Sequence, residues 1–478
     1  MGVGNDKVSP TPLAQLWRGF AMLGLAEIAA RLVAFGATAW VSQHLGAGPF
    51  GVVSFALAAL LYANRVVSWE LESVGVTEVV PRDEHGDAAA GTIIAARFLS
   101  AIVAIVVLGG LARWVLPSPD GVVLVLYAIG LAAVALNTRF AYLMRGTPAR
   151  PALARFLAES VNAAVVLVLV RSAADVERVP FGFVIGEAIA AAFLLSAIPG
   201  AWRGVRRFDA GLARHTMRRA APLVLASLLG LIAFNLDLIL LRLTRGSESA
   251  GFYAAAYALV ALVLNLGVTY AANVLPGLSR LRDDRDAFGR LYSDANLLLF
   301  VLMVPCVVGG AVLARPLVNL VFGAEYASSA APLAPLLVAA GLTLSRLVPV
   351  AAIVALGRRR EALWVNGSGA VVNVALNLIL IPRFGIMGAA SSAVATDIVR
   401  LVVAQALVRR AGVEARYARR LVAPASAAAV MGVLVWLVRA WPVPLAVVSG
   451  AAIYGAALVM FGVVKIGPGA RVRLAEDA

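Results

Sequence analysis

The chain has a single cysteine, Cys306, only two lysines, Lys7 and Lys465, and three histidines, His44, His85 and His215. A lone cysteine excludes a disulfide within the chain. The histidines are scattered with no metal-ligand spacing, so no metal and no other cofactor is expected. No G-x-x-x-x-G-K-S/T run is present, which excludes ATP hydrolysis on a P-loop of the chain's own. No nucleophile–base or carboxylate pair shows catalytic spacing, so enzymatic activity is not expected. Charge is also scarce, at 14% of 478 positions. The first residues are polar up to Leu13 and no small-residue cleavage site follows a short apolar core, so no signal peptide is expected.

In place of these the chain has apolar length. Hydrophobic residues make up 62% of it, and its mean hydropathy is +0.90. A water-soluble domain cannot hide that much apolar surface, so the surrounding solvent is lipid. About 14 segments reach the roughly 20 residues needed to cross a bilayer as helices. They cover 17–42, 50–80, 88–116, 121–143, 153–170, 181–201 and 220–243, then 251–278, 294–322, 332–356, 362–381, 385–408, 420–438 and 444–464. Helices are expected because an open sheet cannot satisfy its backbone in hydrocarbon. The second and ninth segments are long enough to imply tilt or interfacial ends.

The net charge of +15 would suggest a nucleic-acid partner in a soluble protein. Here arginines gather in alternate loops, at Arg145–Arg155, Arg203–Arg219, Arg280–Arg290, Arg358–Arg360 and Arg409–Arg420. The positive-inside rule then accounts for the charge without nucleic acid and places both termini in the cytoplasm.

A weak repeat appears at a shift of about 200 residues. Gly46-Ala-Gly-Pro-Phe-Gly51 and the helix after it match Gly246-Ser-Glu-Ser-Ala-Gly251, and Arg150-Pro-Ala-Leu153 matches Arg360-Glu-Ala-Leu363. The expected fold is an all-α polytopic membrane protein with two six-helix lobes related as parallel repeats and a C-terminal helix pair. The lobes are expected at 1–201 and 220–410, a basic linker at 202–219, and the terminal pair with a cytoplasmic tail at 411–478. Such repeats recur in transporters that bind substrate between the halves.

Four stretches carry a family resemblance: LGAGPFG at Leu45–Gly51, NLDLILLRLTRGSESAGFYAAAYAL at Asn235–Leu259, LVFGAEY at Leu320–Tyr326, and Val354–Ala390 with Gly357, Asn373, Asn377, Pro382, Gly385 and Gly388. Together they resemble the polysaccharide and oligosaccharidyl-lipid flippase branch, of O-antigen type, of the superfamily that also holds multidrug exporters. The resemblance covers most of the chain up to about Gln405, and implies the same two-lobe arrangement. It also implies movement of a polyprenyl-diphosphate-linked oligosaccharide from the cytoplasmic to the outer leaflet. The expected partners are that lipid-linked oligosaccharide, membrane lipid and a polysaccharide polymerase complex.

A dianionic head in a membrane cavity calls for guanidinium forks, and intramembrane charge is costly enough to mark function. The diphosphate candidates are Arg31, Arg65, Arg139 and Arg346. Glu27, one turn before Arg31, either neutralises it or holds it in place. Arg65 has no acid at helical i±3 or i±4 spacing, so Glu70 or Glu72, which point to different faces, is a candidate partner. Arg139 lies near a helix end and either lines a vestibule or snorkels, and Arg97 is read as snorkelling. Glu159 and Glu187 are read as partners of arginines, and Asp397 with Arg400 as a self-neutralising pair. Glu27, Glu70 and Asp237 are the candidates for coupling or charge balance, since the resemblance makes an acid near Asp237 typical. Asn235, Asn265, Asn373 and Asn377 are candidates for a sugar path, with interhelical hydrogen bonding as the other reading. Pro276, Pro305 and Pro349 bend helices inside spans. The alternatives are a cation-coupled multidrug exporter, a peptidoglycan-precursor flippase, and a non-transporting scaffold.

Overall fold

The structure is a computed structural model that describes residues 12–70, 86–144, 147, 149–197, 205, 208–413, 417–467 and 471–474. It is helical nearly throughout. The first helices are α1 (Pro12–Leu45), α2 (Ala47–Ser68), α3 (Gly86–Val115), α4 (Asp120–Leu136), α5 (Arg139–Met144), α6 (Ala149–Leu169) and α7 (Val179–Leu195). After them come α8 (Ala210–Arg245), α9 (Ser247–Arg280), α10 (Arg285–Val312), α11 (Ala314–Phe322), α12 (Ala330–Ala355), α13 (Arg359–Arg410), α14 (Val422–Leu437) and α15 (Val443–Met460). A short antiparallel hairpin, Val464–Gly467 with Arg471–Leu474, follows α15.

Among the described residues, 11 helices are long and apolar enough to cross a membrane, or up to 12 with one bent pair inside α8. The chain is therefore a multi-pass membrane protein, although this count differs from the fourteen segments expected. One cause is that 362–381 and 385–408 run through the single helix α13, broken only where Gly385 adopts φ 56° and ψ −131°. The second segment stops as a helix at Ser68, and Trp69 and Glu70 turn into the left-handed region. Residues 71–80 of that segment lie outside the described set. The ninth divides at Leu313, so its surplus length forms the separate nine-residue helix α11. The fourth breaks at Asn137, where the backbone extends before α5 restarts. Of the expected linker at 202–219, the part from Ala210 onward is already α8.

The chain forms two compact units. The first comprises residues 1–45 and 59–227, the second residues 46–58 and 228–478, so the chain changes unit just before α2, again within α2 and once more within α8. In the first unit α1 packs on α6, α6 on α7, α3 on α4 and α4 on α7. Trp69, Ile93, Phe140, Tyr142 and Leu194 form a core there. In the second, α12 packs against α9, α10 and α13, and α14 packs on α10 and α15. Large apolar side chains such as Leu99, Val103, Val106, Val107 and Trp114 on α3 are exposed, as expected of a face solvated by lipid.

The first repeated stretch and its match each place a glycine turn before a helix. Gly46 (φ +77°) precedes α2 and Gly246 (φ +90°) precedes α9. Both use the left-handed conformation that glycine adopts without strain. The second glycines of the repeat, Gly51 and Gly251, face each other across the α2–α9 crossing. A Cβ on Gly51 would lie 1.8 Å from the Ser247 carbonyl oxygen, and one on Gly251 would lie 1.9 Å from that of Ala47. Beside this crossing the Ala47 amide donates to Glu325 Oε1 (3.0 Å), and Tyr326 packs against Phe50, Phe252 and Phe322.

Candidate functional site

In the first unit, the ends of broken helices supply a polar cavity of about 240 Å³ whose charged and amide lining includes Arg65, Glu70, Asn137, Arg139, Arg155 and Glu187. Arg65 sits in the last turn of α2. The left-handed turn at Trp69 and Glu70 folds the chain back so that Arg65 Nη1 donates to both Glu70 carboxylate oxygens, at 2.8 and 3.0 Å. Glu70 is thus the partner that helical spacing denied Arg65, reached at i+5 because the helix has ended. Glu70 is only 7% exposed, whereas Arg65 is 41% exposed and keeps open access.

On the opposite wall α4 ends at Leu136. Asn137 extends, and its Oδ1 accepts the Arg139 backbone N–H at 3.0 Å, starting α5 and turning Arg139 toward the cavity. Arg155 reaches the lining from α6 while bonded to Glu159, one turn on, at 2.7 Å. Of the sequence candidates, Arg65, Glu70 and Arg139 therefore share one cavity. Arg155 and Glu187 belong with them, although neither was a candidate ligand; their only sequence signal is charge beside or inside an apolar span. Arg31 is half-buried on α1 and is not among the residues lining this cavity. The side chain of Glu27, like all of Glu72, lies outside the described residues.

Arg97 does not snorkel. It is 1% exposed, and its guanidinium donates to the carbonyls of Val67 (3.3 Å), Asn137 (2.9 Å) and Val134 (3.1 Å) while lying 5.6 Å from the Phe140 ring centre. Carbonyls at two helix ends offer its donors better partners than an interface would, even though Val134 O also accepts the Asn137 N–H.

The second unit holds a denser charge cluster. Arg346 is not isolated, because its Nη2 lies 3.9 Å from Asp397 Oδ1, and Arg400 Nη1 lies 3.5 Å from the same oxygen. Thr343 donates to Asp397 Oδ2 at 2.8 Å, and Arg400 donates to Asn366 at 2.9 Å. The expected Asp397–Arg400 pair is present, with Arg346 added to it. Beside it is a cavity of about 20 Å³, lined by Asp237, Tyr253, Tyr257, Thr343 and Asp397 among others. That volume is about what one water or one small ion occupies. Asp237 is buried and accepts the Tyr253 hydroxyl proton in a hydrogen bond. Tyr253 has no counterpart in the sequence reading, because 16 residues and the Gly246 turn separate it from Asp237. Asn373 and Asn377 are buried and bonded to each other at 2.9 Å, with Asn373 also 3.5 Å from Thr396. Asn235 and Asn265 are half-buried on α8 and α9.

A family model described as polysaccharide biosynthesis protein matches residues 45–331. The chain belongs to this family. A Shigella flexneri protein named as an O-antigen transporter is 28% identical over 151 residues, which are 31% of this chain and 35% of that relative. The match thus spans about a third of the relative's length. Two solved structures share the fold. One is the lipid II flippase MurJ in an inward closed conformation, with a TM-score of 0.78 at 13% identity, covering 92% of this chain and 98% of that one. The other is an inward-facing multidrug resistance transporter of the MATE family, with a TM-score of 0.64 at 15% identity, covering 80% of this chain and 95% of that one. The chain is therefore a multi-pass membrane member of the polysaccharide biosynthesis family, with a fold that both of these solved structures share.

Proposed function

We propose that the protein carries a polyprenyl-diphosphate-linked oligosaccharide from the cytoplasmic to the outer leaflet of the inner membrane, for surface polysaccharide synthesis. The observation that carries the proposal is the first-unit cavity, where Arg65, Arg139 and Arg155 gather within a lipid-facing helical unit. A diphosphate is the headgroup such a set suits, because guanidinium forks take two phosphoryl oxygens at once. Asn137 and Glu187 supply acceptors, and Asn137 an amide donor, for sugar hydroxyls beside it. Access alternates between the two faces of the membrane, with Arg31 as a further headgroup ligand and the polyprenyl tail left in lipid. Asn235, Asn265, Asn373 and Asn377 extend the sugar path. A gradient or the membrane potential drives the cycle without ATP, and Glu27, Glu70 or Asp237 takes the coupling cation. Both termini are cytoplasmic in this reading, and a polysaccharide polymerase complex receives the product.

The acids and tyrosines around Asp237 and Asp397 favour the cation-coupled multidrug exporter. At about 20 Å³ their cavity holds an ion and no drug, so they suit coupling better than substrate.

Quantifying polyprenyl-diphosphate oligosaccharide in lipid extracts of a deletion strain tests the proposal. Build-up of that intermediate with loss of surface polymer, rescued by wild type and not by Arg65→Ala, is the expected result. Unchanged intermediates with new sensitivity to cationic drugs would replace the flippase by the exporter.

A further inference from the structure

Two walls of the first-unit cavity are helix C-termini. The end of α2 carries Arg65, Ser68 and, past the left-handed turn, Glu70; the end of α4 carries Val134 and Asn137, with Arg139 two residues on. Neither wall is a continuous helix, so hydrogen bonding along one helix cannot fix the distance between Arg65 and Arg139. Arg97 spans the gap. From the middle of α3 its Nε donates to Val67 O on one wall, and its Nη1 and Nη2 donate to Asn137 O and Val134 O on the other. It is fully buried and absent from the cavity lining. The same face of α3 holds the α2 end a second time, where Trp69 Nε1 donates to Ser100 Oγ at 3.2 Å.

We infer that Arg97 is a positioning residue: one buried guanidinium that sets the spacing of the cavity arginines and so the affinity for a diphosphate headgroup it never touches. The inference rests on the headgroup reading above for its effect on binding, and on geometry alone for its effect on spacing. The side chain is suited to this because only a planar fork has donors in directions that reach two helix ends together. The ammonium of lysine keeps the charge but is a compact point at the end of a flexible stem. An error of about 1 Å in placing a polar group costs up to roughly 100-fold in function. Positioning residues of this kind escape any reading of which side chains line a site.

The test uses the full chain purified into lipid nanodiscs, as wild type, Arg97→Lys and the milder Phe140→Leu, which removes the ring beneath the guanidinium and keeps its hydrogen bonds. Spin labels at Val66→Cys and Ile129→Cys, both on exposed faces of α2 and α4, with Cys306→Ser, report the distance between the walls by pulsed electron paramagnetic resonance. Inorganic pyrophosphate, titrated by calorimetry, reports headgroup affinity. In Arg97→Lys the distance distribution is expected to broaden and affinity to fall about 10-fold to 100-fold, with a smaller change of the same sign in Phe140→Leu. The double variant Arg97→Lys/Arg139→Lys is expected to bind no more weakly than Arg139→Lys alone, because Arg97 acts through the placement of Arg139. A protein that merely lost stability would show the two losses adding, which overturns the inference. An unchanged distance in both variants overturns it as well. Should Arg97→Lys fail to fold, Phe140→Leu decides on the same two readouts. If wild type binds no pyrophosphate while the distance still broadens, the positioning role stands and the diphosphate reading falls.

Discussion

Replacing Glu70 by glutamine separates two accounts of the cavity. Glu70 already pairs with Arg65 through two contacts of 2.8 and 3.0 Å, so a diphosphate bound as proposed has to compete with it. A hydrogen bond to a charged group is worth about 1.5–3 kcal/mol in a protein, whereas a solvent-exposed ion pair is worth about 0.2–1 kcal/mol. With Arg65 41% and Glu70 7% exposed, the pair falls between these ranges, near 1.4 kcal/mol, or about tenfold in an equilibrium constant. Glutamine keeps the size and one acceptor oxygen but loses the charge. Glu70→Gln is therefore expected to bind pyrophosphate about tenfold more tightly than wild type, while Arg65→Ala binds it more weakly than either. Calorimetry on the purified protein at one fixed ionic strength reads both, since exposed charges are screened by salt. If Glu70→Gln weakened binding as much as Arg65→Ala does, the carboxylate would be holding Arg65 in its working position, and the competition argument would be wrong.

Two further changes test the packing. Gly251→Ala puts a methyl group 1.9 Å from the Ala47 carbonyl oxygen, so α2 and α9 must separate; overpacking of this kind costs about 1–3 kcal/mol. A lower melting temperature in detergent is expected, and an unchanged one would mean that the crossing is looser than described. Asp397→Asn leaves Arg346 and Arg400, 5% and 1% exposed, without their shared carboxylate. Removing one member of a buried ion cluster costs about 3–5 kcal/mol, so membrane accumulation is expected to fall sharply, and normal accumulation with a normal melting temperature would refute the counter-ion role.

The membrane class, the helical architecture and the family were legible because they rest on signals that survive averaging: apolar length, glycines at fixed offsets, and motif order. Gly46, Gly51, Gly246 and Gly251 show this best, since each has a visible backbone reason, positive φ or a close crossing. Charge pairing was legible only where helical periodicity holds. Asp397 with Arg400, one turn apart, was expected as a pair and forms, and Glu159, expected to meet an arginine, bonds Arg155 one turn before it. Where a helix ends inside a span, periodicity gives the wrong neighbours. Arg65 meets Glu70 at i+5 only because Trp69 and Glu70 leave the helix. Neither Pro nor Gly marks that turn, so no sequence signal announced it.

The same reasoning explains why the polar chemistry gathers at the breaks. A continuous helix in lipid consumes all its own backbone donors and acceptors and has nothing to offer a charged side chain. A break leaves carbonyls within reach of side chains, and at two breaks here a guanidinium takes them. Arg97 takes those at Val67, Val134 and Asn137, and Arg245 takes those of Ile381 and Pro382 beside the Gly385 break. The carbonyls at its two helix ends make the buried Arg97 tolerable, and Arg97 in turn fixes the geometry of those ends, whereas the buried Arg346 and Arg400 are balanced by the Asp397 carboxylate. In the first unit that geometry is the cavity wall. On the proposed function, the cation that never reaches the cavity is then as much a determinant of headgroup recognition as the arginines that line it.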